Sequence, residues 1–173
     1  EKLLDDVVNN INKIKDDYKW NKMCTKGSNF SDFGESAVKL TNYLISNEWV
    51  DFLSKLTDIP DLFSDNDWVG SGINFDLEPH TDFNKYKKYW RRVNVLLFLS
   101  KDWKDEWGGH NELGRCDNPG GYVKVKSYKP DFNTVVIFNT SNISYHAFDI
   151  VRCPDNVSRV VISCYYYSEH SGP

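Results

Sequence analysis

His80 and Asp82 stand two positions apart in "PHTDF", just ahead of the apolar run "VNVLLFLS" from Val93 to Ser100. A second imidazole, His146, follows the apolar segment "NTVVIFNT", and Arg159 opens the last apolar run, "RVVISCYYY". Two imidazoles and one carboxylate form the 2-His-1-carboxylate donor set of non-haem Fe(II) sites, which leaves adjacent coordination positions open. The three residues are therefore candidate metal ligands and candidate catalytic residues. A lone HxD is a weak motif. The ordered set of HxD, strand, His and Arg, each beside a strand-like segment, is what gives it weight. The chain has four histidines, and neither of the others, His110 or His170, falls in that order. His110, in "WGGHNEL", reads as a loop residue beside a Gly-Gly turn.

Other residues can serve the same site. Arg159 opens an otherwise apolar strand, where a buried guanidinium needs a carboxylate partner. Its planar fork suits one. Strand alternation sets Arg159, Val161, Ser163, Tyr165 and Tyr167 on one face. Ser163 and Tyr165 then either line a pocket or belong to the core. Arg92, Asn94, Leu96 and Phe98 share a face of the preceding strand. A buried Asn94 must find hydrogen-bond partners, in a bound co-substrate or in a structural bridge. Arg91 and Arg92, at the strand mouth, either steer a substrate carboxylate or peptide carbonyl or are surface charge.

The elements that must position these residues fall into two groups. Leu3, Leu4, Val7, Val8, Ile11, Ile14 and Tyr18 follow the spacing of one helix face. A second helix is expected from about Glu35 to Leu56, interrupted near Ser46 and Asn47, with Pro60 beyond it. Short β-branched and aromatic runs then alternate with turn clusters: "WVGSGINF", "RRVNVLLFLS", "GYVKVKSY", "TVVIFNT" and "RVVISCYYY". Helices first and strands after predict an α+β domain, with sheets in a sandwich or barrel and helices on one side. No helix-length segment separates the later strands, which excludes a parallel α/β fold.

A length of 173 residues is consistent with a single domain over 1–173, with helical support over about 1–60 and a β core over about 61–170. The net charge of −4 argues against a phosphate-binding surface, so nucleic acid is not an expected partner. Lys85, Lys87, Lys88, Arg91 and Arg92 still form a local basic cluster. No apolar stretch approaches the ~20 residues of a transmembrane helix, and no membrane partner is expected. Cys24, Cys116, Cys153 and Cys164 show neither CxxC nor zinc-finger spacing. Reduced thiols and a cytoplasmic location are expected.

The sequence resembles the Fe(II)/2-oxoglutarate-dependent dioxygenases of the prolyl 4-hydroxylase type. It looks closest to bacterial and viral relatives of the prolyl hydroxylase that modifies a ribosomal small-subunit protein. The resemblance covers about residues 44–168. It rests on "FLSKLTDIPDLFSDNDWVGSG", "HTDFN", "RRVNVLLFLSKDWKDEWGG", "FNTVVIFNTSNISYHAF" and "CPDNVSRVVISCYYYS". It implies a double-stranded β-helix of jelly-roll, cupin-like form, with the N-terminal helices packed on the major sheet. It also implies Fe(II) on His80, Asp82 and His146, and O₂ and 2-oxoglutarate as co-substrates, with ascorbate a candidate reductant. Arg159 would hold the far carboxylate of 2-oxoglutarate, with Asn94 and Ser163 as further contacts. Apart from the resemblance, their positions on the strands make Arg91, Arg92 and Tyr165 candidate substrate contacts. If the chain is viral, its location is the host cytoplasm.

Three positions depart from the family pattern. Phe98 stands where relatives carry a tyrosine, Val161 where a small polar residue is common, and Ala147 where glycine is common. The first two remove hydroxyls that would contact the co-substrate. The expected substrate is a prolyl residue of a peptide or protein, or a free amino acid. A sugar, lipid or nucleobase is the alternative for the same chemistry, with repair of a nucleobase disfavoured by the acidic charge. A non-catalytic β-helix binding module is the third reading, favoured by Phe98 and Val161.

Overall fold

The computed structural model describes residues 1–14, 33–71, 77–117, 121–154 and 156–171. Tyr18, Cys24 and the latter half of "WVGSGINF" lie outside them. Three helices come first: α1 (Lys2–Ile14), α2 (Glu35–Leu44) and α3 (Asn47–Thr57). The break between α2 and α3 falls at Ser46, whose hydroxyl accepts from the Trp49 amide at 3.3 Å. A serine that caps a new helix competes with continuation of the old one. Asp58, left-handed at φ 55°, closes α3.

Nine strands follow among the described residues: β1 (Phe63–Ser71), β2 (Leu77–Thr81), β3 (Lys85–Tyr86), β4 (Tyr89–Phe98), β5 (Asn111–Asp117), β6 (Gly121–Tyr128), β7 (Thr134–Asn139), β8 (Tyr145–Phe148) and β9 (Val161–Ser168). They make two antiparallel sheets. The larger runs β1-β9-β4-β3, with β7 also paired to β4, and the smaller runs β2-β8-β5-β6. Three strands of the smaller sheet carry no strand signal in the sequence. β2 (LEPHT) contains a proline, β5 (NELGRCD) is polar, and β8 (YHAF) is four residues long. Their pairing comes from the sheet, not from intrinsic propensity.

Alternation along β4 and β9 sorts their side chains onto two faces. Val93, Val95, Leu97, Ile162, Cys164 and Tyr166 pack in one core cluster with Leu4, Val7, Ile11, Leu40 and Leu53 of the helices. Leu96, Phe98 and Val161 point the other way, into a second cluster with Val136 and with Leu113 and Tyr128 of the smaller sheet. The space between the sheets is therefore walled by β4 and β9. Cys116, Cys153 and Cys164 are free thiols. No helix among the described residues is long and apolar enough to cross a membrane.

Tyr166, fully buried, joins the sheet to the helices by more than packing. Its hydroxyl accepts from Trp49 Nε1 at 2.8 Å and donates to the Leu44 carbonyl at 2.7 Å. Burial pushes its pKa up, so the phenol stays protonated and can donate. Tyr166→Phe removes one partner from each of two groups and is expected to cost about 1–3 kcal/mol. The midpoint of urea denaturation measures this.

Candidate metal centre

The register of β2 against β8 sets His80 directly opposite His146. The two rings lie 4.2 Å apart, centroid to centroid. Asp82 follows just past the end of β2. His80 Nδ1 sits 2.8 Å from the Glu78 carbonyl. A carbonyl only accepts, so Nδ1 carries a proton, and in the neutral ring that leaves Nε2 with the lone pair a metal needs. His80 Nε2 is 3.9 Å from Asp82 Oδ1, and His146 Nε2 is 3.5 Å from Asp82 Oδ2. One ligand atom from each of the three residues lies within 4.8 Å of the others.

Burial lowers the His146 pKa to about 4, and the nearby His80 and Arg91 push the same way against Asp82. The imidazole is thus neutral at pH 7, the form a metal ligand requires.

Two further side chains hold the Asp82 carboxylate. Arg91 Nη1 donates to Oδ1 at 2.7 Å, and Asn94 Nδ2 donates to Oδ2 at 2.6 Å. The Arg91 guanidinium lies 3.8 Å over the ring of Tyr165. Simple alternation would put Arg92 beside Asn94, but the register against β9 shifts between Arg91 and Val93. That bulge adds a residue and moves Arg91 to the inner face. Thr140 pins it, donating from Oγ1 to the Arg91 carbonyl at 2.5 Å and from its amide to the Arg92 carbonyl at 2.8 Å. Arg92 turns instead to Ser168 Oγ and the His170 carbonyl.

Arg159 is buried toward the other end of this wall. Its Nε donates to the Gly109 carbonyl at 2.7 Å, and its guanidinium lies 4.2 Å from the Phe148 ring centre and 5.3 Å from that of Phe98. Gly109 has φ +67°, and a Cβ there would come within 2.9 Å of Arg159 Cδ, so the position requires glycine. Burial lowers the guanidinium pKa to about 10, partly offset by Asp149, so it remains charged at pH 7. Among the described residues, no carboxylate lies within salt-bridge distance of it. Ser163 is buried on β9, opposite Leu96 of β4. His110 lies apart from the triad, with its amide donating to Asp149 and its ring 3.3 Å from Asp105.

The candidate residues thus form two poles. His80, Asp82, His146, Arg91, Asn94 and Tyr165 make one network, Arg159 makes the other, Ser163 lies on the wall, and Arg92 faces away. Sequence reasoning missed Glu78, which orients His80, and Thr140, which secures the bulge. It also left Gly109 as a turn residue, although the "GG" was visible. The donor set suits a divalent metal. Three of the seven buried side-chain polar atoms without a partner among the described residues belong to this pole: His146 Nδ1, Asn94 Oδ1 and Arg91 Nε. The unpaired buried cation at the other pole suits a carboxylate. The residues present therefore fit both an iron ion and a dicarboxylate.

Residues 69–167 match the family model of the 2OG-Fe(II) oxygenase superfamily. No curated protein sequence matches the chain. Among solved structures, a prolyl 4-hydroxylase from Phytophthora capsici superposes with a TM-score of 0.65 at 16% identity, over 95% of this chain and 54% of that one. A Trichoplax adhaerens prolyl hydroxylase, solved with a peptide fragment of the hypoxia inducible factor oxygen degradation domain, gives 0.62 at 17% identity, over 99% and 80%. An oxidoreductase of the 2OG-Fe(II) oxygenase family from Burkholderia pseudomallei gives 0.58 at 16% identity, over 80% of this chain and 60% of that one. At these identities the likeness is one of fold. The chain spans little more than half the length of the Phytophthora and Burkholderia proteins.

The lowered His146 pKa has a consequence for stability without metal. The unfolded histidine takes up a proton near its ordinary value of 6.5, while the folded one resists until about 4. The stabilising contribution is full above 6.5 and is lost as pH falls toward 4. Chelator-treated protein should lose stability across that window in denaturant titrations, and His146→Asn should flatten the loss.

Proposed function

The chain belongs to the 2OG-Fe(II) oxygenase superfamily, and from that premise we propose that it is an Fe(II)- and 2-oxoglutarate-dependent hydroxylase acting on a prolyl residue of a peptide or protein, or on a free amino acid. The observation that carries this reading is the pairing of the two poles. Three metal-type donors converge at one, and a buried arginine with no carboxylate within salt-bridge distance among the described residues stands at the other. Asn94 and Phe98 mark the two poles on β4, four residues and about 13 Å of strand apart. The arginine side chain covers part of that span, and a five-carbon diacid suits the rest.

His80, Asp82 and His146 would hold Fe(II), and Arg159 would hold the distal carboxylate, with Ser163 on the wall between. When bound, the iron and the keto acid supply the oxidation, in which O₂ is divided between succinate and a hydroxylated product with loss of CO₂. The chain's own part is to hold the His146 imidazole neutral, fix the carboxylate, and exclude water with Leu96, Phe98, Val161 and Phe138. We read the two sheets as a double-stranded β-helix, with the three helices supporting the larger one, in a single domain. Prolyl chemistry is supported by the prolyl hydroxylases among the structural neighbours, one of which was solved with a peptide.

Phe98 and Val161 favour a second reading, a module that binds without turnover, because neither supplies a hydroxyl beside Arg159. Turnover separates the two. With Fe(II), 2-oxoglutarate and a panel of proline-containing peptides and amino acids, the protein should form succinate and add one oxygen atom to a substrate by mass spectrometry. His80→Ala should abolish both. Arg159→Gln should raise the KM for 2-oxoglutarate by about 100-fold, in line with truncating one partner of a buried charge pair. Absence of succinate across the panel, with no effect of His80→Ala, would leave only the binding module.

A further inference from the structure

Each oxygen of Asp82 is bonded by a side chain that is itself held in place. Asn94 is fully buried on β4, and its Nδ2 contacts Oδ2. Arg91 reaches Oδ1 while its guanidinium rests on the Tyr165 ring, and the carbonyls flanking its bulge are tied to Thr140. We propose that Arg91 and Asn94 are positioning residues for the metal. Together they fix the plane of the Asp82 carboxylate so that it presents one oxygen, and Tyr165 holds Arg91 in register. This rests on the reading of His80, Asp82 and His146 as ligands.

Rotation about the last bond of an aspartate is otherwise broad. A free carboxylate can swing away from a metal or chelate it with both oxygens. Two donors, one on each oxygen, define the plane and oppose both motions. One carboxylate oxygen with two imidazoles then leaves three positions for other ligands. Partners of this kind that hold metal-ligating side chains typically contribute 10–100-fold in metal affinity.

Arg91 makes the proposal sharp, because its charge predicts the opposite sign. A cation beside a divalent ion repels it. If Arg91 acts only through charge, removing it tightens metal binding. If it acts by fixing Asp82, removing it weakens binding. A substrate contact would leave metal binding unchanged.

The test titrates Mn(II) into the full chain by calorimetry and records the visible absorption of the Co(II)-loaded protein. Arg91→Met removes charge and donor together. It should weaken Mn(II) binding by about 10-fold or more and alter the Co(II) bands at saturation. Arg91→Lys keeps a charge and a donor and should return affinity to within a few-fold of the wild type. Asn94→Ala should weaken binding without changing charge, and Tyr165→Leu should follow Arg91→Met in direction. Circular dichroism identifies folded variants. Should Arg91→Met not fold, Asn94→Ala and Tyr165→Leu decide the matter by the same two readouts. Wild-type affinity and bands in the folded variants, or tighter binding by Arg91→Met, overturn the proposal while the ligand assignment stands. If the wild type takes up no Mn(II), or His80→Ala binds it equally well, the ligand assignment falls and the proposal with it.

Discussion

The Asp82 carboxylate is the group on which the rest of the site depends. It faces two imidazoles, one guanidinium and one amide, drawn from three strands of the fold. His80 precedes it on β2, and His146 comes from β8 across a fixed register. Arg91 and Asn94 come from β4 of the other sheet. A negative charge this enclosed must be balanced, because an unpaired one costs several kcal/mol. The carboxylate therefore ties the smaller sheet to the larger at one point. A slip of one residue between β2 and β8 would turn His80 to the opposite face.

The site also has a built-in opposition. Arg91 balances Asp82 and at the same time adds a cation beside the candidate metal centre. Such a design makes sense if holding a ligand in place matters more than maximal affinity. The second pole has the reverse character. Arg159 is buried against the rings of Phe98 and Phe148, with little to balance it but Asp149. One pole is self-compensated and the other is left to attract an anion. A ligand with a metal-binding end and a free carboxylate matches that asymmetry.

How much of this was legible in the sequence varied with the physical origin of each feature. His80, Asp82, His146 and Arg159 could be singled out because their types and order are chemically unusual. The long apolar strands β4 and β9 were legible because burial on both faces demands β-branched and aromatic residues. β2, β5 and β8 were not, because a proline, polar residues and short length hide a strand whose partners decide its form. The neighbours of Asp82 were only partly legible. Asn94 stood out as a polar residue in an apolar run, but its bond to Asp82 depends on tertiary contact. Arg91 rather than Arg92 reaches the centre because of one bulge, and local spacing carries no signal for that.

In the proposed function one metal and one dicarboxylate fill these two poles. A crystal structure of the protein grown with Mn(II) and 2-oxoglutarate, with anomalous data collected for manganese, tests it most directly. The expected result is an anomalous peak bonded to His80, His146 and a single oxygen of Asp82, with a carboxylate seated against the Arg159 guanidinium. A peak elsewhere, or a 2-oxoglutarate whose distal carboxylate avoids Arg159, would contradict it.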